Sequence, residues 1–236
     1  MDDTAASAAQ TPLLSLEGLK KDLLQLGASY DRGYGATQRA NTRADSLIEQ
    51  LEALNPQDEA SRGVEGNSNS DDNNEVSPLA GSWRMVWTTA ADVLTLSANP
   101  LVTVGAIYQV FDLPMVTNII DLLPPFQTLV GSNALGSVLR AKVTTRAYRP
   151  SNKNVATANP NRIGLEFETV ALQPMEFWGT SVEGLLPPLA VDLPKSPFEG
   201  FFDVTFVDGD LLIVRQTAAG GLGGLFVLSK VDNVDP

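Results

Sequence analysis

The apolar residues of this chain change their spacing once. Through residue 56 they recur every three or four positions, and beyond residue 78 mostly every second position. The first period belongs to helices with one dry side, the second to strands with one dry face. Leu13, Leu16, Leu19, Leu23 and Leu26 form a first stripe behind Thr11-Pro12, an N-cap and first-turn proline, with Gly27 as the expected stop. Ala40, Ala44, Leu47, Ile48, Leu51 and Leu54 form a second, opened by Thr37 and ended by Asn55-Pro56. Residues 1–56 are thus expected to be a helical hairpin packed on the rest of the chain. Residues 57–78 are polar, acidic and asparagine-rich, an expected flexible linker closed by Pro78.

Between Leu79 and Thr88, the large apolar residues Trp83, Met85 and Trp87 alternate with Ser82, Arg84, Val86 and Thr88. Two indoles on one dry face need a wide interior, because each aromatic side chain buries roughly 150–250 Å². Further strands are expected over 105–111, 116–120, 138–148, 162–172, 201–207, 211–216 and 225–230. Asp208-Gly209 supplies a favoured tight turn between 201–207 and 211–216. About eight antiparallel strands suffice for a small closed barrel that holds one ligand. The expected fold is therefore mainly β, a single β-barrel domain over 79–236 preceded by two helices. Alternation aims Trp83, Met85, Trp87, Phe167, Phe202 and Phe206 inward, where they either fill the barrel or line a cavity. Tyr108 joins them as a ligand-binding candidate.

Composition narrows the chemistry. The 236 residues include no cysteine and no histidine. Disulfides, thiolate chemistry, the usual general base and the commonest metal ligand are absent, so no metal site and no cofactor are expected. Glu166 and Glu168 share a strand face with Arg162 and read as a solvated, salt-bridging face. The glycine run from Gly220 to Gly224 leads into a strand and lacks the lysine of a phosphate loop. With no catalytic group in view, no enzyme is expected. The net charge of −12 argues against nucleic acid, whose binding rests on neutralised phosphates. No apolar run is long enough to span a bilayer as a helix. The start, Met1-Asp2-Asp3-Thr4, has none of the marks of a signal or transit peptide.

Two stretches are too apolar for ordinary turns: the run from Leu122 to Val130, which contains Leu122-Leu123-Pro124-Pro125-Phe126, and the run from Gly184 to Val191, which contains Leu185-Leu186-Pro187-Pro188. Exposed apolar segments mark interfaces or binding mouths. Leu122, Leu123, Phe126, Leu185 and Leu186 are accordingly expected as flaps that meet a lipid surface, the alternative being that they plug the barrel or cover its wall. Arg140, Lys142 and Arg146 share one strand face, and basic residues near an anionic membrane add about 1 kcal/mol of attraction each.

Several blocks carry a family resemblance. They are Asp31-Arg32-Gly33 with Ala36-Thr37, the run from Ile48 to Pro56, Gly81-Ser82-Trp83 with Thr88-Thr89, the run from Gly105 to Asp112, Asn118-Ile119-Ile120, and Ile213-Val214-Arg215 followed by Gly224 to Leu228. In this order they resemble the plastid lipid-associated protein (PAP/fibrillin) family. The resemblance implies a lipocalin-like fold in a plastid (chloroplast) or cyanobacterial setting, at plastoglobules or thylakoids. It implies an apolar lipid or isoprenoid ligand and a peripheral membrane or lipid-droplet surface as partners. The alternative is a non-catalytic scaffold or activator of an isoprenoid- or quinone-biosynthesis enzyme. In lipocalins a late arginine lies across the Gly-x-Trp tryptophan, so similarity pairs Arg215 with Trp83 as a barrel-closing plug. The long acidic linker, Gln216 in place of a glycine, and the enlarged glycine turn depart from the family pattern.

Overall fold

The computed structural model describes residues 15–65, 76–97, 102–124, 136–150, 159–194, 200–217 and 223–234. Helices α1 (Leu16–Ser29) and α2 (Gln38–Glu52) come first. The Ser15 and Thr37 side chains cap them, accepting from the Gly18 and Ala40 N–H groups. Thr11 and Leu13 lie outside the described residues. Gly27 does not stop α1, which runs on to Ser29. The reason lies opposite it: a Cβ at Gly27 would overlap the Val86 carbonyl oxygen of β1 (Gly81–Thr88). Glycine is there so that helix and strand backbones can touch.

The other strands are β2 (Thr103–Asp112), β3 (Met115–Leu123), β4 (Val138–Tyr148), β5 (Arg162–Phe177), β6 (Thr180–Ser181), β7 (Leu189–Asp192), β8 (Gly200–Val207), β9 (Leu211–Thr217) and β10 (Gly224–Val231). Eight of them close an antiparallel, barrel-like ring in the order β1-β2-β3-β4-β5-β8-β9-β10. These are the eight expected strands. A short helix, α3 (Ala91–Ser97), and the strands β6 and β7 are additions. So is the second half of β5, whose sequence looks interrupted at Pro174. That proline pairs with Leu139 on one edge and falls between the β6 and β7 pairings on the other.

The ring is dry on two sides. Inside, Trp83, Phe111, Val116, Ile163, Val204 and Leu228 pack with Ala60, Val64 and Leu79 at one end. Ser61 donates to Pro160 O and the Ala60 N–H to Asn161 Oδ1, so the beginning of the expected linker is folded onto the ring. Its small apolar pair, Ala60 and Val64, stands one helical turn apart and was hidden among polar neighbours. Residues 66–75 of that linker lie outside the description.

Outside the ring, Leu19, Leu23, Leu47, Ile48 and Leu51 of the hairpin pack against Trp87, Phe206, Ile213, Leu225 and Val227. Trp87 and Phe206 therefore face the helices and not the interior. Two β-bulges reverse them. Register slips between Met85 and Trp87 in the β1–β10 pairing, and between Val204 and Phe206 in the β8–β9 pairing. One extra residue turns the side chains beyond it to the opposite face.

The link between the helices is a clamp. Asp31, Arg32 and Gly33 take φ values of 44°, 60° and 101°. A Cβ on Gly33 would stand 2.6 Å from Thr88 O, a second close approach to β1. The Arg32 guanidinium donates to the Val104 and Gly105 carbonyls, where β2 slips register against β3.

Candidate ligand site in the ring

At the packed end, Trp83 is fully buried and donates its indole N–H to Leu79 O at 2.8 Å. Lys230, its direct partner across the β1–β10 ladder, places Nζ 4.3 Å from the indole centroid and donates to Ala80 O. Burial pushes the Lys230 pKa below its ordinary value. Gly81, at φ 112°, makes room: a Cβ there would stand 2.7 Å from Lys230 Nζ. The cation on the Gly-x-Trp tryptophan is thus Lys230, from the last strand. Arg215 is not paired with Trp83. It points out of the ring and binds the Glu52 carboxylate of α2 through two hydrogen bonds of 2.7 and 2.9 Å, which hold its pKa above the usual value. Its inward-looking position in an apolar strand was misleading, because the outer face of β9 is also covered.

Beyond this plug the ring is hollow. A cavity of about 230 Å³ is bordered by residues from all eight ring strands and by Val93 of α3. Met85, Phe167 and Phe202 line it, as the alternation implied; Phe167 is 42% exposed. Tyr108 borders it between Ile107 and Gln109. Three polar side chains also line it, and the reading of aromatics passed over them: Gln109, Asn118 and Gln216. Gln109 Nε2 donates to Asn118 Oδ1 at 3.1 Å, directly across the β2–β3 ladder. The signal was present in Ile107-x-Gln109-x-Phe111 and Val116-x-Asn118-x-Ile120, where a polar residue occupies a dry parity position.

The inner face continues past the ring where β3, β4 and β5 are long. Cross-strand rows record it: Asn118–Val143–Val170–Val191, then Ile120–Ala141–Leu172–Leu189, then Leu122–Leu139–Pro174. After Asn118 every residue in these rows is apolar. The face is a trough, and a second cavity of about 460 Å³ lies at its far end, lined by Leu122, Leu123, Leu139, Pro174 and Phe177, with Ser137 and Glu176 as its polar members. Leu189 is 69% and Val191 58% exposed. Leu122 and Leu123 are therefore strand residues of this trough rather than a loop flap. Leu185 and Leu186 are exposed in the connection between β6 and β7, and Phe126 lies outside the described residues. At the tip, Phe177 and Trp178 stack with centroids 5.6 Å apart, both exposed.

The opposite face of the same strands is polar and paired. Arg140 binds Asp121 at 2.8 Å and Arg146 binds Glu168 at 2.8 Å. Hydrogen bonding to Asp121 is the main reason that the Arg140 pKa rises. Lys142 stands between them on this face and also has an interaction partner. Arg162 binds Asp203 and not the glutamates of its own strand. Neither arginine of the expected basic face offers a free charge: register sets Asp121 opposite Arg140, and Arg146 reaches Glu168 on the neighbouring strand.

The sequence model of PAP_fibrillin matches residues 17–229. Plastoglobulin-1, chloroplastic, of Pisum sativum is 26% identical over 237 residues, covering 92% of this chain and 62% of the relative. Plastid lipid-associated protein 3, chloroplastic, of Brassica campestris is 26% identical over 90% of this chain and 60% of its own length. Probable plastid-lipid-associated protein 10, chloroplastic, of Arabidopsis thaliana is 25% identical over 97% of this chain and 82% of its own. The chain spans three-fifths of the length of the first two.

Proposed function

The chain belongs to the PAP/fibrillin family, and from that membership and the ring's geometry we propose that it is a plastid lipid-associated protein. It holds an apolar lipid or isoprenoid in the ring and trough and rests against a lipid surface of the plastoglobule or thylakoid type. One observation carries the reading: the apolar face is continuous from the cavity inside the ring to an exposed trough. Exposed apolar area of this kind marks a binding surface. The role is structural or carrying rather than catalytic, and it draws on burial at about 25 cal/mol per Å². A grip on a biosynthetic enzyme through the N-terminal helices has less support, since their apolar stripes are buried against the ring.

Lipid mass spectrometry on protein purified from plastids, or from cells supplied with plastid lipids, tests this. A stoichiometric apolar lipid is the expected result. Protein that carries none and takes up none from neutral-lipid emulsions would overturn the reading.

A further inference from the structure

The inner cavity and the trough differ in where their polar groups lie, and that difference gives a ligand a direction. Gln109, Asn118 and Gln216 border the inner cavity, three neutral amides, whereas the polar side chains at the outer cavity are Ser137 and the Glu176 carboxylate. Asn118 Oδ1 already accepts from Gln109, which leaves Asn118 Nδ2 to donate and Gln109 Oε1 to accept. The Gln216 amide adds one group of each kind. Among the described residues, no Asp, Glu, Lys or Arg borders this cavity. An ionised head would lie there without a counter-charge, an arrangement that folded proteins avoid. A neutral carbonyl or hydroxyl finds both a donor and an acceptor.

Outward from Asn118 the wall is hydrocarbon: Ile120 then Leu122 along β3, and Val143 then Leu139 along β4. The last two stand four residues apart, roughly 13 Å of extended strand. A chain laid from the amides to Leu139 is in apolar contact along its whole length. The reverse placement would press a tail against three amides and set a polar head beside Leu122, Leu139 and the rim residues Ser137 and Glu176.

We propose that the ring binds a neutral lipid whose prenyl or acyl tail carries a carbonyl or hydroxyl head, with the head inward against Asn118 and Gln216 and the tail outward along the trough. This rests on the reading that the ring holds a lipid, and adds the charge class and the orientation. Carboxylates and diphosphates of the same tails are excluded as inward heads by their charge.

The test uses the whole chain and three probes with one tail: decylbenzoquinone, decylbenzene and decylbenzoate, each displacing a fluorescent apolar dye. The quinone should bind most tightly. Asn118→Leu and Gln216→Leu should each weaken it about threefold to tenfold, the effect of one neutral hydrogen bond, and leave decylbenzene unchanged or tighter. An unchanged quinone affinity in both variants, with melting temperatures like that of the parent, overturns the proposal, as does benzoate binding that equals the quinone's. A second readout needs no variant. A quinone with a photoactivated diazirine at the end of its tail should label peptides containing Leu122 or Leu139. Labelling around Ile107 to Asn118 would mean that the tail points inward. If none of the three probes binds, the lipid-holding reading fails as well, and that failure is distinct from a reversed ligand.

Discussion

Lys20 Nζ lies 2.6 Å from Asp208 Oδ2, an ion pair between α1 and the β8–β9 turn with only 8% and 15% of the two side chains exposed. The Asp208 carboxylate also accepts from the Asp210 and Leu211 N–H groups at 2.9 Å. Burial works against its charge, but the hydrogen bonds from Lys20 and the turn outweigh it and hold its pKa below the ordinary 3.8. Burial likewise opposes the Lys20 charge, and Asp208 and Glu17 raise its pKa above 10.5 all the same. Asp208's contribution to stability is therefore present above its unfolded value of 3.8 and lost as pH falls through the lower folded value. Lys20's contribution is present below 10.5 and lost as pH rises through the higher folded value. Asp208→Asn should cost about 2 kcal/mol at neutral pH and flatten the loss of stability on acidification. Denaturant unfolding across pH checks both.

Gly27→Ala should destabilise the protein, against the usual helix trend. Alanine ordinarily improves a helix by about 1 kcal/mol over glycine. Here the new methyl meets the Val86 carbonyl oxygen and must lift α1 from β1. A net loss of about 2 kcal/mol is expected in thermal denaturation. A raised melting temperature would contradict the seating of α1 on that strand.

Phe202 and Phe206 lie on one strand but on opposite walls. Phe206→Leu should cost about 1–2 kcal/mol of stability and leave the affinity for an apolar probe unchanged, since its ring packs against the hairpin. Phe202→Leu should alter probe affinity, because its ring borders the cavity. Paired melting and binding curves separate the two walls.

Leu189→Asp and Val191→Asp fall on exposed positions and should change stability by no more than about 0.5 kcal/mol. Both should reduce partition onto galactolipid vesicles. Added salt should matter little, because Arg140 and Arg146 are already paired with acids. Binding that collapses in salt, or that ignores these variants, would place the contact elsewhere.

Much of this was legible in the sequence wherever a local rule ran undisturbed. Thr37 capped the helix it was expected to cap, and Ala141 and Val143 kept one face of β4 because no slip intervenes there. Single inserted residues defeated the reading. Val86 and Thr205 carry no sequence mark of a bulge, yet they send Trp87 and Phe206 to the outer wall. Arg215 misled for a related reason: strand parity says which residues share a face, but not which face is inside. Gln109 and Asn118 were readable as polar residues at dry positions, and the weight given to aromatics hid them.

The ring is cut obliquely. β5 runs 16 residues and β9 only 7, roughly 50 Å against roughly 23 Å. A tail laid on the long side is covered from below and open above. Each methylene there would gain roughly half of the ~0.8 kcal/mol that full enclosure provides. That is about a twofold gain in residence time per carbon, where a closed tunnel would give about fourfold. On the proposed lipid-holding role, a slanted rim of this kind would measure chain length bluntly and make the protein a tolerant holder rather than a ruler.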